Sequence, residues 1–227
     1  MCNLYVPAPR QVIEQLFALP FPDGEYGPYV APLKQGPFVV PGRAMVGQWG
    51  LIPPSSPSRI PSTRNGKRLS TNNARREGMA SAMSFRPSWT AGRRCLIPAL
   101  SFDEPYWAPG AGRSVSWRFR RADGQPWALA GLWNEWTDPG TGEVVHSYTM
   151  ITQNCDGHAL LRKFHKPDPY LPADQQDKRT VVPIAQADWG MWLEGPIEEA
   201  EKLIQLAPVE AFAHGPVDET VSPSILE

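Results

Sequence analysis

The chain has 227 residues, of which 41% are hydrophobic and nine are Trp, and its formal net charge is −1. This size suits a single domain with a sizeable core, and the near-neutral net charge does not by itself indicate a nucleic-acid-binding protein. Three cysteines are too few for a disulfide framework and indicate a reducing compartment. No signal peptide and no run of about 18 apolar residues occurs, so we expect a soluble cytoplasmic protein without membrane contact.

Charge is nevertheless distributed unevenly along the chain. Residues 59–94 carry nine Arg or Lys against the single acid Glu77, whereas residues 188–227 carry nine acids against the single base Lys202. A basic segment of this kind can face a polyanion. A solvated surface balanced by the acidic tail is equally compatible with the charge pattern.

The N-terminal half alternates short elements with long loops. Pro9 begins an amphipathic helix that we predict to reach residue 19. Two strands, 38–40 and 45–51, follow around a turn, and residues 53–70 form a Pro- and Ser-rich loop. A helix is then predicted over 74–84, with Asn73 among the residues that can cap it.

The C-terminal half is predicted to contain more strands. They span residues 94–99, 115–119, 127–133, 143–152 and 179–184, and the second and third are predicted to form a hairpin. Polar loops are predicted over 103–113 and 167–177. Helices are predicted over 157–164, 187–193 and 196–206.

Many short strands with interspersed helices favour one α+β domain, with a mainly antiparallel, β-barrel-like core and flanking short helices. No internal repeat and no composition shift marks a second domain. We therefore expect a domain over residues 1–214 and a disordered tail over 215–227.

The chain shows no metal-binding signature, Gly-rich phosphate loop or nucleophile elbow, so we predict no metal and no cofactor. Glu104 follows an apolar strand, where a carboxylate with a raised pKa can act as a general acid or base. An ordinary loop acid fits the same position. His165 and Asn73 are equally ambiguous, because a histidine or asparagine near a helix end often only satisfies backbone groups.

Cys2 is the residue with the most distinctive potential chemistry. A small residue at position two favours removal of Met1, which would leave an α-amine and a thiol on adjacent carbons. The amine can condense with an aldehyde, and the thiol can then close a five-membered thiazolidine ring in a favoured intramolecular step. An inert structural cysteine is the simpler interpretation of Cys2 taken alone.

An ordered set of motifs strengthens the first interpretation. It comprises Met1-Cys2, Trp49-Gly50-Leu51-Ile52-Pro53, Asn73-Ala74-Arg75, Arg94-Cys95-Leu96-Ile97-Pro98-Ala99 with Phe102-x-Glu104, Ala130-Gly131-Leu132-Trp133, Thr149-x-Ile151-Thr152 and His165 with Lys178-Arg179. In content and order the set resembles the SRAP family of SOS response-associated peptidases, which includes the 5-hydroxymethylcytosine-binding proteins of embryonic stem cells. The resemblance extends from residue 1 to about residue 194.

The resemblance implies a compact α/β fold with a barrel-like core, and covalent capture of abasic sites in single-stranded DNA as a thiazolidine. It also implies possible autoproteolytic processing ahead of Cys2. Cys2 would be the nucleophile, Asn73 would orient the opened sugar and the amine, Glu104 would move protons, and His165 would promote ring opening and Schiff-base chemistry. DNA-binding candidates are Arg75, Trp49, Arg76, Arg86 and Arg179. One active N-terminus per chain is compatible with a monomer.

The sequence departs from the family pattern at several positions. Asn3-Leu4 replaces Gly-Arg after the cysteine, Pro105 stands where a Trp is common, and an insertion over 167–177 separates His165 from Arg179. Two other functions therefore stay open: a cysteine hydrolase of peptides that pairs Cys2 with His165, and a single-stranded DNA binder without catalysis.

Overall fold

The computed structural model describes residues 2–21 and 24–218. The strands in this part are β1 Leu4–Pro7, β2 Gln35–Val40, β3 Arg43–Trp49, β4 Asn73–Arg75, β5 Arg94–Tyr106, β6 Val115–Arg121, β7 Trp127–Thr137, β8 Val144–Asn154, β9 Arg179–Val181 and β10 Phe212–Pro216. The helices are α1 Arg10–Phe17, α2 Arg76–Met79, α3 Arg86–Thr90, α4 Trp189–Glu194 and α5 Ile197–Lys202. None of these helices is long and apolar enough to cross a membrane.

Five strands close into a barrel. β5 pairs with β2, β2 with β3, β3 with β8, β8 with β7, and β7 again with β5. All of these pairs are antiparallel except β3–β8. Closure leaves none of these five strands at a free edge, and the predicted α+β fold with a mainly antiparallel, barrel-like core is confirmed.

The barrel is tightly packed where its strands cross. At Gly131, one of the motif residues, a Cβ atom would lie 2.6 Å from the Thr149 carbonyl oxygen and 2.9 Å from the Cys95 sulfur. Any larger residue would therefore push β7 away from β8 and β5. Close packing between strands thus explains the glycine in the Ala130-Gly131-Leu132-Trp133 motif.

Strand β5 organises the outer strands as well. Its first half pairs with β7 and its second half with β6, while β1 pairs along residues 99–103. The predicted hairpin between the strands at 115–119 and 127–133 is therefore wrong, since β6 and β7 pair with different halves of the same strand. The predicted loop over 103–113 is corrected too, because β5 continues to Tyr106.

Three further expectations change. The helix predicted over 74–84 shrinks to α2, because Asn73–Arg75 pairs in parallel with β8. The helix predicted over 157–164 is a single 3-10 turn at Leu161–Lys163. β10 extends to Pro216 and pairs with β6, so the predicted tail begins inside a strand. The remainder of that tail from 219 lies outside the described residues.

Candidate active site

Four separate segments bring the predicted catalytic residues together. Leu4 pairs with Asp103, and because β1 and β5 are antiparallel, the two residues before Leu4 lie beside the end of β5 that carries Glu104. Asn73 opens β4, and His165 follows the 3-10 turn. Cys2, Asn73, Glu104 and His165 thus share one site, although they are 163 positions apart at the extremes.

The backbone of Cys2 is held by two asparagines. Asn73 Nδ2 donates to the Cys2 carbonyl oxygen at 2.7 Å, and Asn72 Nδ2 approaches the same oxygen at 3.5 Å. Asn73 is therefore not a helix cap, and its side chain fixes the orientation of the chain start. Asn72, which belongs to none of the sequence motifs, contributes to the same contact.

The thiol of Cys2 is fully buried and donates a hydrogen bond to the Leu4 carbonyl oxygen at 3.4 Å. Burial raises its pKa well above the usual value, and the nearby charge of Glu104 raises the pKa further. The thiol is therefore protonated at neutral pH, and a base must remove its proton before it can act as a nucleophile.

Glu104 is almost fully buried, with 2% of its surface exposed. Burial raises the pKa of its carboxyl group to about 8. The carboxyl group is consequently protonated for the most part at pH 7 and can donate a proton in the site. Glu104 lies within β5 and not in a loop after it, which accounts for its burial.

His165 is fixed in a left-handed backbone conformation, with φ of 64°. Its backbone N–H donates to the Pro105 carbonyl oxygen at 2.7 Å, and its own carbonyl accepts from Lys178 Nζ at 2.9 Å. Its Nε2 lies 2.8 Å from the Arg179 carbonyl oxygen and 3.3 Å from Glu104 Oε2. Because a carbonyl only accepts, we assign the ring proton to Nε2.

The contact between His165 and Glu104 joins two neutral groups at pH 7. Burial lowers the pKa of the imidazole to about 4, whereas burial raises that of the carboxyl group to about 8. An ion pair at 3.3 Å would need the opposite proton distribution. The site therefore holds a protonated carboxyl group beside a neutral imidazole that carries its single ring proton on Nε2.

The insertion over 167–177 does not displace His165. Lys178 returns to the site and donates to the carbonyl oxygens of both His165 and Lys166, at 2.9 and 3.0 Å. Its own backbone N–H is held by Asp156 Oδ1 at 2.8 Å. These hydrogen bonds hold the C-terminal end of the insertion next to its N-terminal end, beside His165.

Three of the predicted DNA-binding side chains are used within the protein. Trp49 is fully buried and donates from Nε1 to the Asn72 carbonyl oxygen at 2.8 Å, so it is not available to stack on a base. Arg179 is buried against Glu77 and Asp177, with nitrogen–oxygen distances of 2.6 Å to each. Arg76 donates to the Ile204 carbonyl oxygen at 3.0 Å and to Gln153.

The two remaining candidates are exposed. Arg75 has 52% of its side chain accessible and pairs with Asp177 at 2.9 Å, and Arg86 is exposed at the start of α3. Arg75 and Asn73 line a surface cleft of about 260 Å³ together with Phe85. This cleft runs from the exposed arginine to the asparagine that holds Cys2.

Two other clefts also reach the site. Glu104 lines one of about 340 Å³ with Asn3 and Ser116, and His165 lines one of about 540 Å³ with Trp107. Each of the three polar residues around Cys2 therefore faces a different surface opening. No sequence motif includes Trp107, and the only signal for its place here is its position three residues after Glu104.

The described part of the chain contains no group of three or more His, Cys, Asp or Glu residues arranged to hold a metal ion. The three cysteines are buried and unpaired with one another. The groups that meet at this site are a carboxyl group, an imidazole, two amide side chains and the thiol of Cys2.

Comparisons with known proteins agree in sequence and in fold. Two curated relatives called abasic site processing protein HMCES, from Xenopus tropicalis and Gallus gallus, are 28% and 27% identical over 197 and 191 residues. These matches cover 78% and 77% of the chain but 53% and 52% of the relatives, so the chain spans about half of their length.

A solved structure from Bordetella bronchiseptica superposes with a TM-score of 0.82 at 31% identity and covers 96% of this chain and 100% of its own. One from Bacteroides thetaiotaomicron has a TM-score of 0.76 at 17% identity over 100% and 99%, and shows the fold alone. A family model described as SOS response associated peptidase (SRAP) matches residues 10–224. The chain belongs to the SRAP family.

Proposed function

We propose that this protein recognises abasic sites in single-stranded DNA and links to them covalently through the N-terminal cysteine. One observation carries the proposal: Cys2 lies with a protonated carboxyl group, a neutral imidazole and an oriented amide in a single buried site. The names of the curated relatives, which process abasic sites, support the same substrate. The family match begins at residue 10, so the role of Cys2 rests on this geometry.

The reaction begins with the sugar. An abasic deoxyribose is mostly a closed hemiacetal, and opening it requires proton transfer at the ring oxygen. Protonated Glu104 can supply a proton there, and neutral His165 can accept one. The opposite shifts of their pKa values make both forms abundant near pH 7.

The next step joins protein and DNA. After Met1 is removed, the α-amine of Cys2 attacks the aldehyde carbon, and the resulting carbinolamine loses one water to form an imine. The thiol of Cys2 then adds to the imine carbon, while its proton passes to the nitrogen. One C–N and one C–S bond form, one water leaves, and no oxidant or reductant is needed.

The surroundings of Cys2 suit this sequence. The hydrogen bond from Asn73 fixes the carbonyl of Cys2, so the amine and thiol approach the aldehyde in one orientation. Exposed Arg75 lies along the adjacent cleft, where its guanidinium can hold a phosphate of the bound strand. The raised pKa of the thiol keeps it from reacting before the imine is formed.

A denaturing gel tests the proposal directly. Wild-type protein, shown by intact mass to lack Met1, is mixed with a single-stranded oligonucleotide that carries one abasic site. We expect a band that survives heating, and its loss in Cys2→Ala. Cys95→Ala is the matched control, because Cys95 is an equally buried thiol that sits on β5 away from the chain start.

A further variant separates the two bonds. Cys2→Ser keeps the amine but lacks the thiol, so it should form only an imine, which survives denaturation after borohydride reduction and not before. The absence of any band with wild-type protein that lacks Met1, or an undiminished band with Cys2→Ala, would contradict the proposal.

The two other functions predict different outcomes. A cysteine hydrolase needs an activated thiolate, but the hydrogen bond of the Cys2 thiol goes to a backbone carbonyl and its pKa is raised. It would turn over peptides without DNA. A binder without catalysis would retain intact and abasic strands equally in Cys2→Ala and would give no band.

A further inference from the structure

The cleft beside His165 is a second distinctive feature of the surface. It has a volume of about 540 Å³ and lies between the loop after β5, the 3-10 turn and the insertion over 167–177. Trp107, Arg162, Lys163, Lys178 and Leu171 are among its lining residues. Much of this wall is formed by the insertion, which separates His165 from Arg179 in the sequence.

The charge of the cleft favours an anion. Arg162, Lys163 and Lys178 line it against a single acid, Asp168. The carboxylate of Asp168 is turned to its own loop, where Oδ1 accepts the backbone N–H of Tyr170 at 2.9 Å. Arg162 and Lys163 are both exposed, which is the arrangement that suits contacts to a phosphate backbone.

The wall also offers an aromatic surface. Trp107 is partly exposed, and the Lys166 ammonium lies 5.2 Å from its ring centroid. A base that stacks on this indole would bring its phosphate close to the same ammonium group. An aromatic ring combined with basic side chains is the usual platform for single-stranded nucleic acid.

The insertion is held in a defined conformation by hydrogen bonds within it. Gln176 donates from Nε2 to the carbonyl oxygens of Asp168, Leu171 and Pro172, at 3.0, 2.8 and 3.1 Å, and its Oε1 accepts the Asp168 N–H at 2.7 Å. One side chain thus fixes the loop through four hydrogen bonds. A wall held in this way loses little conformational freedom when a ligand binds.

The cleft adjoins the active site through His165. His165 lines it, and the same imidazole contacts Glu104 at 3.3 Å. A strand whose abasic sugar lies at Cys2 would place a neighbouring nucleotide within reach of this opening. We infer that the cleft binds the nucleotide next to the abasic site, with its base on Trp107 and its phosphate on Arg162.

This inference rests on the proposed function, and fluorescence tests it separately. The probe is a single-stranded oligonucleotide with a tetrahydrofuran abasic analogue, which has no aldehyde to crosslink, and with 2-aminopurine on either its 5′ or its 3′ side. We expect wild-type protein to quench 2-aminopurine at one of these positions. Trp107→Phe should keep the quenching and Trp107→Ala should lose it, with affinity weakened about fivefold or more.

Two further variants sharpen the test. Arg162→Ala should lower the slope of log affinity against log salt by about 0.7, the value of one single-strand phosphate contact. Tyr170→Ala is the matched control, since this aromatic residue is 92% exposed on the same insertion and does not line the cleft. Quenching that is equal in wild type and Trp107→Ala, or lost equally in Tyr170→Ala, would overturn the inference.

The same proteins are assayed in parallel for the covalent band. A Cys2-dependent band without Trp107-dependent quenching would refute the cleft and leave the proposed function standing. Quenching that depends on Trp107 without any band would refute the covalent function and support the cleft as a site for DNA.

Discussion

The two faces of β5 carry neighbouring carboxyl groups in opposite situations. Asp103 is buried and accepts two hydrogen bonds of 2.7 Å from the Arg118 guanidinium. Glu104, the next residue, faces Cys2 and the neutral imidazole of His165, and burial raises its pKa to about 8. A fixed cation keeps the first group as a structural anchor, whereas burial beside a neutral base keeps the second able to exchange a proton.

The largest expected effect comes from removing the exchangeable proton. Glu104→Gln preserves shape and hydrogen-bonding capacity but cannot transfer a proton, so we expect the crosslinking rate to fall by about 10²–10⁴-fold. The measurement is a single-turnover time course at pH 7 on denaturing gels. Affinity for the tetrahydrofuran oligonucleotide should stay close to that of wild type, and an unchanged rate would assign Glu104 no part in the chemistry.

Changing the other face should alter stability instead. Asp103→Asn removes the charge partner of the half-buried Arg118 guanidinium and one of its two hydrogen bonds, which we expect to cost about 1.5–3 kcal/mol. We expect urea denaturation to show a loss of this order in the free energy of unfolding. The fraction that remains folded should crosslink at the wild-type rate, and a rate loss as large as that of Glu104→Gln would remove the distinction between the two faces.

The pH dependence of stability gives a third test. Between pH 6.5 and 8, Glu104 is protonated in the folded state and ionised in the unfolded state, while His165 is neutral in both. The folded state thus binds one more proton, and the free energy of unfolding should fall by about 1.4 kcal/mol per pH unit as pH rises.

Between pH 4.5 and 6.5 the two residues oppose each other. The unfolded state has a protonated His165 and an ionised Glu104, so the proton difference is close to zero and their joint contribution is flat. In Glu104→Gln only the histidine contribution remains. Stability of the variant should then rise with pH from about 4 to 6.5 and lose the decline above it, and urea titrations that give parallel profiles for both proteins would contradict these assignments.

The sequence predicted the barrel well because its strands are apolar and bounded by turn residues. It failed where a distant partner decides the structure. Asn73 resembles a helix cap locally, but pairing with β8 makes it the first residue of a strand. Pro105 suggests the end of a strand, but pairing of Pro105 with Ser116 continues β5 through Glu104. Pairings between distant segments leave no local periodic signal.

The sequence indicated the four proposed catalytic residues of the site, but not which of the surrounding arginines are exposed. The family resemblance carried by the motif order indicated Cys2, Asn73, Glu104 and His165, and the structure brings these four side chains together. The arginines could not be sorted, because exposure depends on tertiary partners. Arg94 illustrates this: its guanidinium donates to the Trp192 and Gly195 carbonyl oxygens and lies in the protein interior.

The adjacent residues Arg75 and Arg76 repeat the contrast of β5 on a smaller scale. Arg75 is exposed and its ion pair with Asp177 is worth about 0–1 kcal/mol, whereas Arg76 is tied to the Ile204 carbonyl oxygen. We expect Arg75→Ala to leave the urea midpoint nearly unchanged and to lower the salt slope of single-strand binding by about 0.7. Arg76→Ala should instead destabilise the fold by about 1.5–3 kcal/mol and keep the salt slope. The salt slope of binding measures how many phosphates the protein neutralises. Equal salt slopes in Arg75→Ala and wild type would therefore show that Arg75 holds no phosphate in the cleft that it lines with Asn73.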